Sequence, residues 1–246
     1  AHWSRGNYGP GDWSGSHNDL AAGVDLYHTD HSRAGISVMH TNSSLDRTEN
    51  LGEVSMKKKF TRVSLYGCHD FAGGLHAAGD VFAGGIRIKD TSLVDMSTRT
   101  AGVHAEVGVD VPAGRGTITP LVRAAYAGIR GFTTKDGKGF PFTMKESHYS
   151  SFSAGLKASL PLSPVSLLTA YAGWGIRTGY DIDGTMSDAW NTMDISESGK
   201  EHVKTLGIGY RCDVTPFARL SLSAAREFSS GLHDDWNFQV SAAYKF

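Results

Sequence analysis

Several side chains in polar stretches have the types from which catalytic sites are built. Ser16 and His17 adjoin in GSHND, and the two residue types can act as nucleophile and base. A hydrolytic triad also needs a third group that orients the base, and the sequence contains no G-x-S-x-G turn. We therefore expect no catalytic residues and no enzymatic activity in this chain.

Two histidines suggest a metal site, but their surroundings favour a turn. His28 and His31 both lie in YHTDHS, with Asp30 between them. Metal sites need three or four converging ligands, whereas aspartate is common in turns. We expect a solvated turn, no bound metal and no cofactor. The two cysteines, Cys68 and Cys212, are too few for a zinc site or a disulfide scaffold.

Length and composition narrow the class of protein. Among 246 residues, 40% are apolar, and the formal net charge is −1. A net charge near zero gives no general attraction to nucleic acid, so we expect no nucleic-acid partner. The longest weakly polar stretch, Pro164–Ile176, has thirteen residues. A membrane-spanning helix needs about 20.

Apolar and polar residues alternate through much of the chain, which is the pattern of a two-faced β-strand. The segment TAGVHAEVGVDV sets valines and an alanine against His104, Glu106 and Asp110. The last eleven residues, WNFQVSAAYKF, put six residues on one face: Trp236, Phe238, Val240, Ala242, Tyr244 and Phe246. No long segment shows the helical period of 3.6, so we predict an all-β fold.

Twelve such segments follow one another. They begin near Trp3, Leu20, Ala34, Phe60, His76, Ala101, Ile118, Ser151, Val165, Lys204, Arg219 and Trp236. Tight links of four or five residues, such as TDHSR and PLSP, alternate with longer polar ones, which include TNSSLDRTENLG, GFTTKDGKGFPFTMKES and YDIDGTMSDAWNTMDISESGK. Short turns at one end and long loops at the other are typical of a transmembrane β-barrel.

The two faces of the segments differ as the wall of a membrane barrel requires. The apolar face has aromatic residues near the segment ends, which resemble an interfacial belt: Tyr126, Tyr210, Trp236, Tyr244 and Phe246. The other face carries charges of both signs, which suit a wet interior. We predict that the lumen is lined by Asp25, His104, Glu106, Asp110, Arg123, Lys157, Arg211, Arg219, Glu227 and Lys245.

The sequence thus predicts a 12-stranded antiparallel transmembrane β-barrel of the outer membrane, with residues 1–246 forming a single domain. A soluble lipocalin-like binder is the alternative, but it would need the two faces inverted. The segments FTRVSLYGCH and HAAGDVFAGGIRIK do not alternate cleanly, and their outward faces stay undetermined. Cys68 and Cys212 fall six strands apart, on opposite walls, so we predict no disulfide between them.

Four segments, in this order, resemble the C-terminal translocator domain of autotransporters. LAAGVDLYHTDHSRAGISVMHTNSSLD resembles an early hairpin with a G-x-D strand, and FTRVSLYGCHDFAGGLHAAGDVFAGGIRIKD resembles the next hairpin, with Asp80 in the rising strand. GTITPLVRAAYAG resembles a mid-barrel strand, and VSAAYKF resembles the terminal strand. The resemblance runs from about Trp3 to Phe246.

The resemblance implies transport by type V secretion. Such a barrel anchors in the bacterial outer membrane and lets an N-terminal passenger reach the cell surface, with a linker helix in the lumen. The passenger and the linker helix would both precede Ala1. Its partners would be outer-membrane lipid, the barrel assembly machinery, and its own passenger and linker helix. The resemblance also implies an assembly signal at the chain end: Phe238, Val240, Ala242, Tyr244 and Phe246.

Other functions stay open at this point. A stand-alone outer-membrane pore for small solutes would need the same lumen chemistry. A 12-stranded barrel phospholipase would need a Ser-His pair on its outer wall. Some autotransporters cut their own linker with lumen carboxylates, but such a cut would lie before Ala1, and we do not expect it of Asp25, Glu106 or Asp110.

Overall fold

The computed structural model describes residues 2–8, 13–49, 52–90, 95–135, 141–179, 182–187, 192–197, 199–229 and 233–244. Twelve long strands form the wall of a barrel. They are β1 (His2–Tyr8), β2 (Trp13–His28), β3 (Ser32–Glu49), β4 (Gly52–Asp70), β5 (Leu75–Asp90), β6 (Asp95–Val109), β8 (Gly116–Ile129), β11 (Ser147–Ser163), β12 (Ser166–Thr178), β15 (Lys200–Thr215), β16 (Ala218–Ser229) and β17 (His233–Tyr244).

Every wall strand pairs antiparallel with a neighbour on each side, so the sheet closes on itself. The first and last strands meet where Trp3 lies opposite Phe238. Strands β8 and β11 meet where Val122 lies opposite Ala154. In the described part of the wall, closure leaves no long unpaired edge, which is the condition for crossing lipid with strands. The predicted fold class and the twelve strands are confirmed.

Five shorter strands belong to the connections: β7 (Val111–Ala113), β9 (Phe132–Lys135), β10 (Pro141–Met144), β13 (Ile182–Ser187) and β14 (Thr192–Glu197). Strands β9, β10, β13 and β14 form a separate antiparallel sheet, in which Phe142 lies opposite Met186. The sequence predicted long polar loops there. The hairpins β9–β10 and β13–β14 pair with each other, so their backbone N–H and C=O groups are hydrogen-bonded. Their sequences lack the alternation of apolar and polar residues from which the other strands were predicted.

Several wall strands are longer at the long-loop end than the sequence predicted. Strand β2 begins at Trp13 rather than near Leu20, and β4 begins at Gly52 rather than near Phe60. The added residues are mostly polar, since hairpins that project beyond the lipid keep their pairing but no longer need an apolar face. At the other end β6 stops at Val109, so Asp110 lies in a turn and not in the predicted strand.

The tight turns close the short-loop end of the barrel. The hydroxyl of Thr29 accepts hydrogen bonds from the backbone N–H groups of His31 and Ser32, at 3.3 and 2.9 Å. This side-chain cap fixes the link between β2 and β3, where His28 and His31 were expected to form a solvated turn. In the described part of the chain, no helix has the length and apolar character to cross a membrane.

Candidate functional site

The exterior of the barrel is apolar, which is the reverse of a water-soluble protein. Among the described residues, 34 large hydrophobic side chains are exposed, and only three hydrophobic residues are buried. On β6 every second residue faces outward, and Val103 and Val107 are 43% and 42% exposed. Such a continuous apolar surface would be unfavourable in water, whereas a lipid bilayer accommodates it. The outer wall is therefore the lipid-facing wall.

Aromatic side chains ring the outer wall near both ends. At the long-loop end, the Tyr126 hydroxyl lies 2.7 Å from His148 Nδ1, and Trp174 stacks on His202 with ring centroids 5.7 Å apart. Tyr210, Phe217 and Tyr244 are exposed near the short-turn end, where they form a second aromatic belt. Tyrosine and tryptophan concentrate where lipid meets water, so these rings mark the two membrane interfaces.

The inner faces of β4 and β5 carry polar residues that the irregular pattern of these segments had obscured. Arg62, Ser64 and Tyr66 of β4 alternate with the outward-facing Val63 and Leu65. On β5, Asp80 and Phe82 face inward, and Val81 is exposed on the lipid side. Ser64 is only 3% exposed. A recess of about 360 Å³ opens beside these residues and is also lined by Ala21, Ala22, Gly23 and Ser37.

A row of hydrogen-bonding groups crosses the inner wall at one height. The Tyr66 hydroxyl donates a hydrogen bond to Asp25 Oδ1 at 2.5 Å, across the intervening strand β3. Tyr66 lies directly opposite Asp80, and Asp80 lies opposite His104, whose Nδ1 is 3.5 Å from Asp80 Oδ1. The strand register thus places two carboxylates, a phenol and an imidazole side by side on β2 to β6.

Glycine on the intervening strand makes this reach across β3 possible. A Cβ added at Gly35 would lie 2.5 Å from the Tyr66 hydroxyl oxygen, closer than any van der Waals contact allows. Phe82 lies over Gly102 in the same way, with its ring atoms 2.6 Å from where a Cβ would be. The rings therefore lie flat against the wall, and they fill less of the lumen than they would if they pointed at its axis.

A second polar cluster joins β6, β8 and β12. Arg123 Nε donates a hydrogen bond to Glu106 Oε2 at 2.5 Å, and the two residues are opposite each other in the register. The Arg123 guanidinium also lies over the Tyr171 ring, 4.8 Å from its centroid. Both charged side chains are partly exposed, at 38% and 20%. The pair therefore presents a compensated, hydrated surface to the lumen.

Further ion pairs lie along the other side of the inner wall and at the short turns. Arg177 of β12 pairs with Glu227 of β16. Arg219 Nε donates to Asp213 Oδ1 at 2.6 Å. In the turn after β6, Asp110 accepts a hydrogen bond from Thr119 and lies 4.0 Å from His76. The charges of the interior thus occur largely as pairs of opposite sign.

The remaining predicted residues lie in several places. Lys157 is half-buried on the inward-facing side of β11, and Arg211 is exposed on β15. Lys245 and Phe246 lie outside the described residues. The inward groups that were not predicted include Arg62, Tyr66, Tyr171 and Arg177. The alternation within β12 could have identified Tyr171, which lies between the exposed Ala170 and Ala172, whereas the irregular pattern of β4 hid Arg62 and Tyr66.

The residues that could do covalent or metal chemistry are not brought together. Ser16 and His17 are neighbours in β2, so their side chains point to opposite faces of the sheet. Ser16 Oγ lies 3.4 Å from Ser44 Oγ, whereas His17 Nε2 lies 3.9 Å from Asp19 Oδ2. Over the described ranges, no three His, Cys, Asp or Glu side chains converge as metal ligands would. Cys68 on β4 and Cys212 on β15 are free thiols.

An inverted exterior, two aromatic belts and a charged interior together define an integral outer-membrane β-barrel. The family model described as autotransporter beta-domain matches residues 1–225. The chain belongs to this family, and it is an outer-membrane translocator barrel, as the sequence resemblance predicted.

Solved structures of autotransporter domains have the same fold. The beta domain of the Bordetella autotransporter BrkA has a TM-score of 0.73 and 16% identity, and the match covers 100% of this chain and 98% of that one. The translocator domain of NalP from Neisseria meningitidis has a TM-score of 0.70 and 16% identity, covering 100% and 86%. The transport unit of AIDA-I from Escherichia coli has a TM-score of 0.69 and 15% identity, covering 100% and 90%.

At such identities the structural likeness establishes the fold alone. Among curated proteins, none matches the chain in sequence.

Proposed function

We propose that residues 1–246 act as one translocator domain that anchors an N-terminal passenger in the outer membrane and exports it to the cell surface. The family match over residues 1–225 is the observation that carries this proposal. The barrel itself then has no catalytic task, and the passenger and its linker would lie on its N-terminal side.

The chemistry of the inner wall supports passage of a polypeptide. An unfolded chain carries charges of both signs and many exposed peptide groups, so a strongly cationic or anionic wall would bind it. Pairs such as Glu106–Arg123 and Arg177–Glu227 compensate each other within the wall. The flat aromatic rings beside Gly35 and Gly102 leave cross-section for an extended segment or a helix, as twelve strands allow.

The last strand supports a proposal about assembly. Phe238, Val240 and Tyr244 are exposed on the lipid-facing wall, and Ala242 lies between them on the same face. Strand β17 closes the barrel by pairing with β1, so an unclosed barrel would offer β17 as an edge for pairing. We propose that the barrel assembly machinery reads this alternating face, together with Phe246.

Surface display tests the export proposal. An epitope joined before residue 1, behind a secretion signal, should be accessible to antibody and to added protease on intact cells. The matched control carries the same epitope before residue 1 and the lipid-face substitution Val107→Arg, which should reduce insertion and surface epitope together. An epitope that is detected only after permeabilisation, while the barrel itself is inserted and heat-modifiable, would contradict export.

A further inference from the structure

The outer wall carries a compact group of cations at the long-loop end of β4 and β5. Lys57 and Lys59 of β4 and Arg87 and Lys89 of β5 are all exposed, and we call these four residues the cationic patch. In the strand register Lys57 lies opposite Lys89, and Lys59 lies opposite Arg87. Directly opposed side chains have their Cβ atoms about 5 Å apart, so two like-charge pairs sit side by side.

The neighbouring strands compensate this charge only in part. Asp95 of β6 accepts hydrogen bonds from Arg87 Nε and Nη2 at 2.9 and 2.7 Å, and it lies 3.2 Å from Lys89 Nζ. Asp46 of β3 is exposed on the same face, as is a further cation, Arg99 of β6. Among the described side chains at this end of β3 to β6, five outward-facing cations therefore face two carboxylates, for a local balance of +3, in a chain whose net charge is −1.

The carboxylate of Asp95 is already bound to Arg87 and Lys89. It lies beyond the apolar band, where the hydrogen bond from Arg87, helped by Lys89, lowers its pKa to about 2. It is therefore ionised throughout the physiological range, and its charge is shared between Arg87 and Lys89. In the described residues, no carboxylate forms an ion pair with Lys57 or Lys59.

The height of the cationic patch matches that of lipid headgroups. Below it on the same outward faces lie Val63 and Leu65 of β4 and Val81 of β5, which belong to the lipid-facing surface. Lys59 is four residues beyond Val63, which is about 13 Å along a strand. With a strand tilt of about 45°, Lys59 stands about 9 Å above the apolar band, and Lys57 lies two residues further along the same strand. Because long loops are extracellular in such barrels, this is the outer leaflet.

Like charges that lie directly opposite each other destabilise a sheet unless a counter-ion lies between them. A phosphate group is suited to this position, because arginine binds it with a planar fork and lysine binds it as a point charge. We propose that the cationic patch binds the phosphate groups of phosphorylated lipid in the outer leaflet. Continuity with the lipid-facing wall favours a lipid over a free ion, since the acyl chains would lie against Val63, Leu65 and Val81.

The binding test uses the refolded full chain in detergent, with diphosphorylated lipid A as the probe and native mass spectrometry as the readout. Each cation near an anionic lipid surface contributes about fivefold in affinity, so Lys57→Gln with Lys59→Gln should weaken binding about 25-fold. The control, Lys135→Gln with Arg115→Gln, removes the same charge from a loop strand and a short turn. It should leave the affinity within about twofold.

Two further arms make the test specific. Asp95→Asn removes a competing anion and should strengthen binding about fivefold, whereas Lys57→Arg with Lys59→Arg should retain it. Lipid A without its phosphates should bind more weakly, and millimolar inorganic phosphate should not displace the lipid. Unchanged binding by the double glutamine variant, equal binding of dephosphorylated lipid, or full displacement by inorganic phosphate would each overturn the proposal. A heat-modifiable band confirms that each variant is folded.

Discussion

Placing a charge on the lipid-facing wall should be far more damaging than placing one on the inner wall. Val107 faces outward on β6, is 42% exposed, and lies opposite Val122. Val122 is the middle one of five outward positions of β8, between Ile118 near the short turn and Tyr126 in the aromatic belt. Val107 is therefore near the centre of the bilayer.

An arginine near the bilayer midplane of a β-barrel destabilises it by about 2–4 kcal/mol. This corresponds to about a 30- to 900-fold change in the folding equilibrium constant. The matched control is His104→Arg on the same strand. His104 faces inward, 3.5 Å from Asp80, so an arginine there gains a carboxylate partner in a hydrated lumen. We expect that change to shift the free energy of unfolding by less than about 1 kcal/mol.

The assay is reversible unfolding by guanidinium in lipid vesicles, followed by the fluorescence of the five tryptophans. Wild type and both variants are compared at equal lipid-to-protein ratio, so that only the substituted side chain differs. A larger loss of stability for His104→Arg than for Val107→Arg would mean that the faces are inverted. The membrane placement of the wall would then be refuted along with the role of the lumen.

Three further outcomes follow from the structure. Gly35→Ala should lower the free energy of unfolding by about 1–3 kcal/mol, because the added methyl group would collide with the Val24 backbone oxygen and displace the Tyr66 ring. Gly67→Ala, whose Cβ would meet only a carbonyl oxygen at 3.6 Å, should be near neutral. Deletion of Phe246 should reduce heat-modifiable, membrane-inserted protein while total expression holds, and wild-type insertion would argue against an assembly signal. Intact mass after mild oxidation should show no intramolecular disulfide, since the cysteines lie on strands six places apart in the wall; a loss of two mass units would contradict this.

The architecture was predictable because a barrel wall imposes a simple rule on the sequence. Apolar and polar residues must alternate along each membrane-spanning strand, and short and long links must alternate between strands. The twelve segments and the fold class could therefore be predicted from patterns such as that around Val103 and Val107. Strand ends were less predictable. Beyond the lipid, hairpin pairing continues through polar residues, and nothing in the alternation marks where β2 or β4 begins.

The side-chain contacts of the inner wall could not be predicted from the sequence, for a different reason. Tyr66 finds Asp25 across a strand, through a gap that exists only because residue 35 is glycine. Such a contact depends on register between three strands, and single-strand patterns carry no register. The sequence placed Glu106 and Arg123 on inward faces of separate segments, but their direct opposition, 2.5 Å apart, comes from the pairing of β6 with β8.

Passage of the passenger through the lumen is tested most directly by crosslinking from adjacent wall positions during export. A photo-reactive amino acid is placed at residue 157, on the inward side of β11, or at residue 156, where Leu156 is exposed to lipid. Transport through the lumen should give crosslinks from position 157 to the upstream segment of the same polypeptide and none from position 156. Crosslinks from 156 alone, or none from 157 while an epitope reaches the cell surface, would show that the passenger does not travel through this lumen.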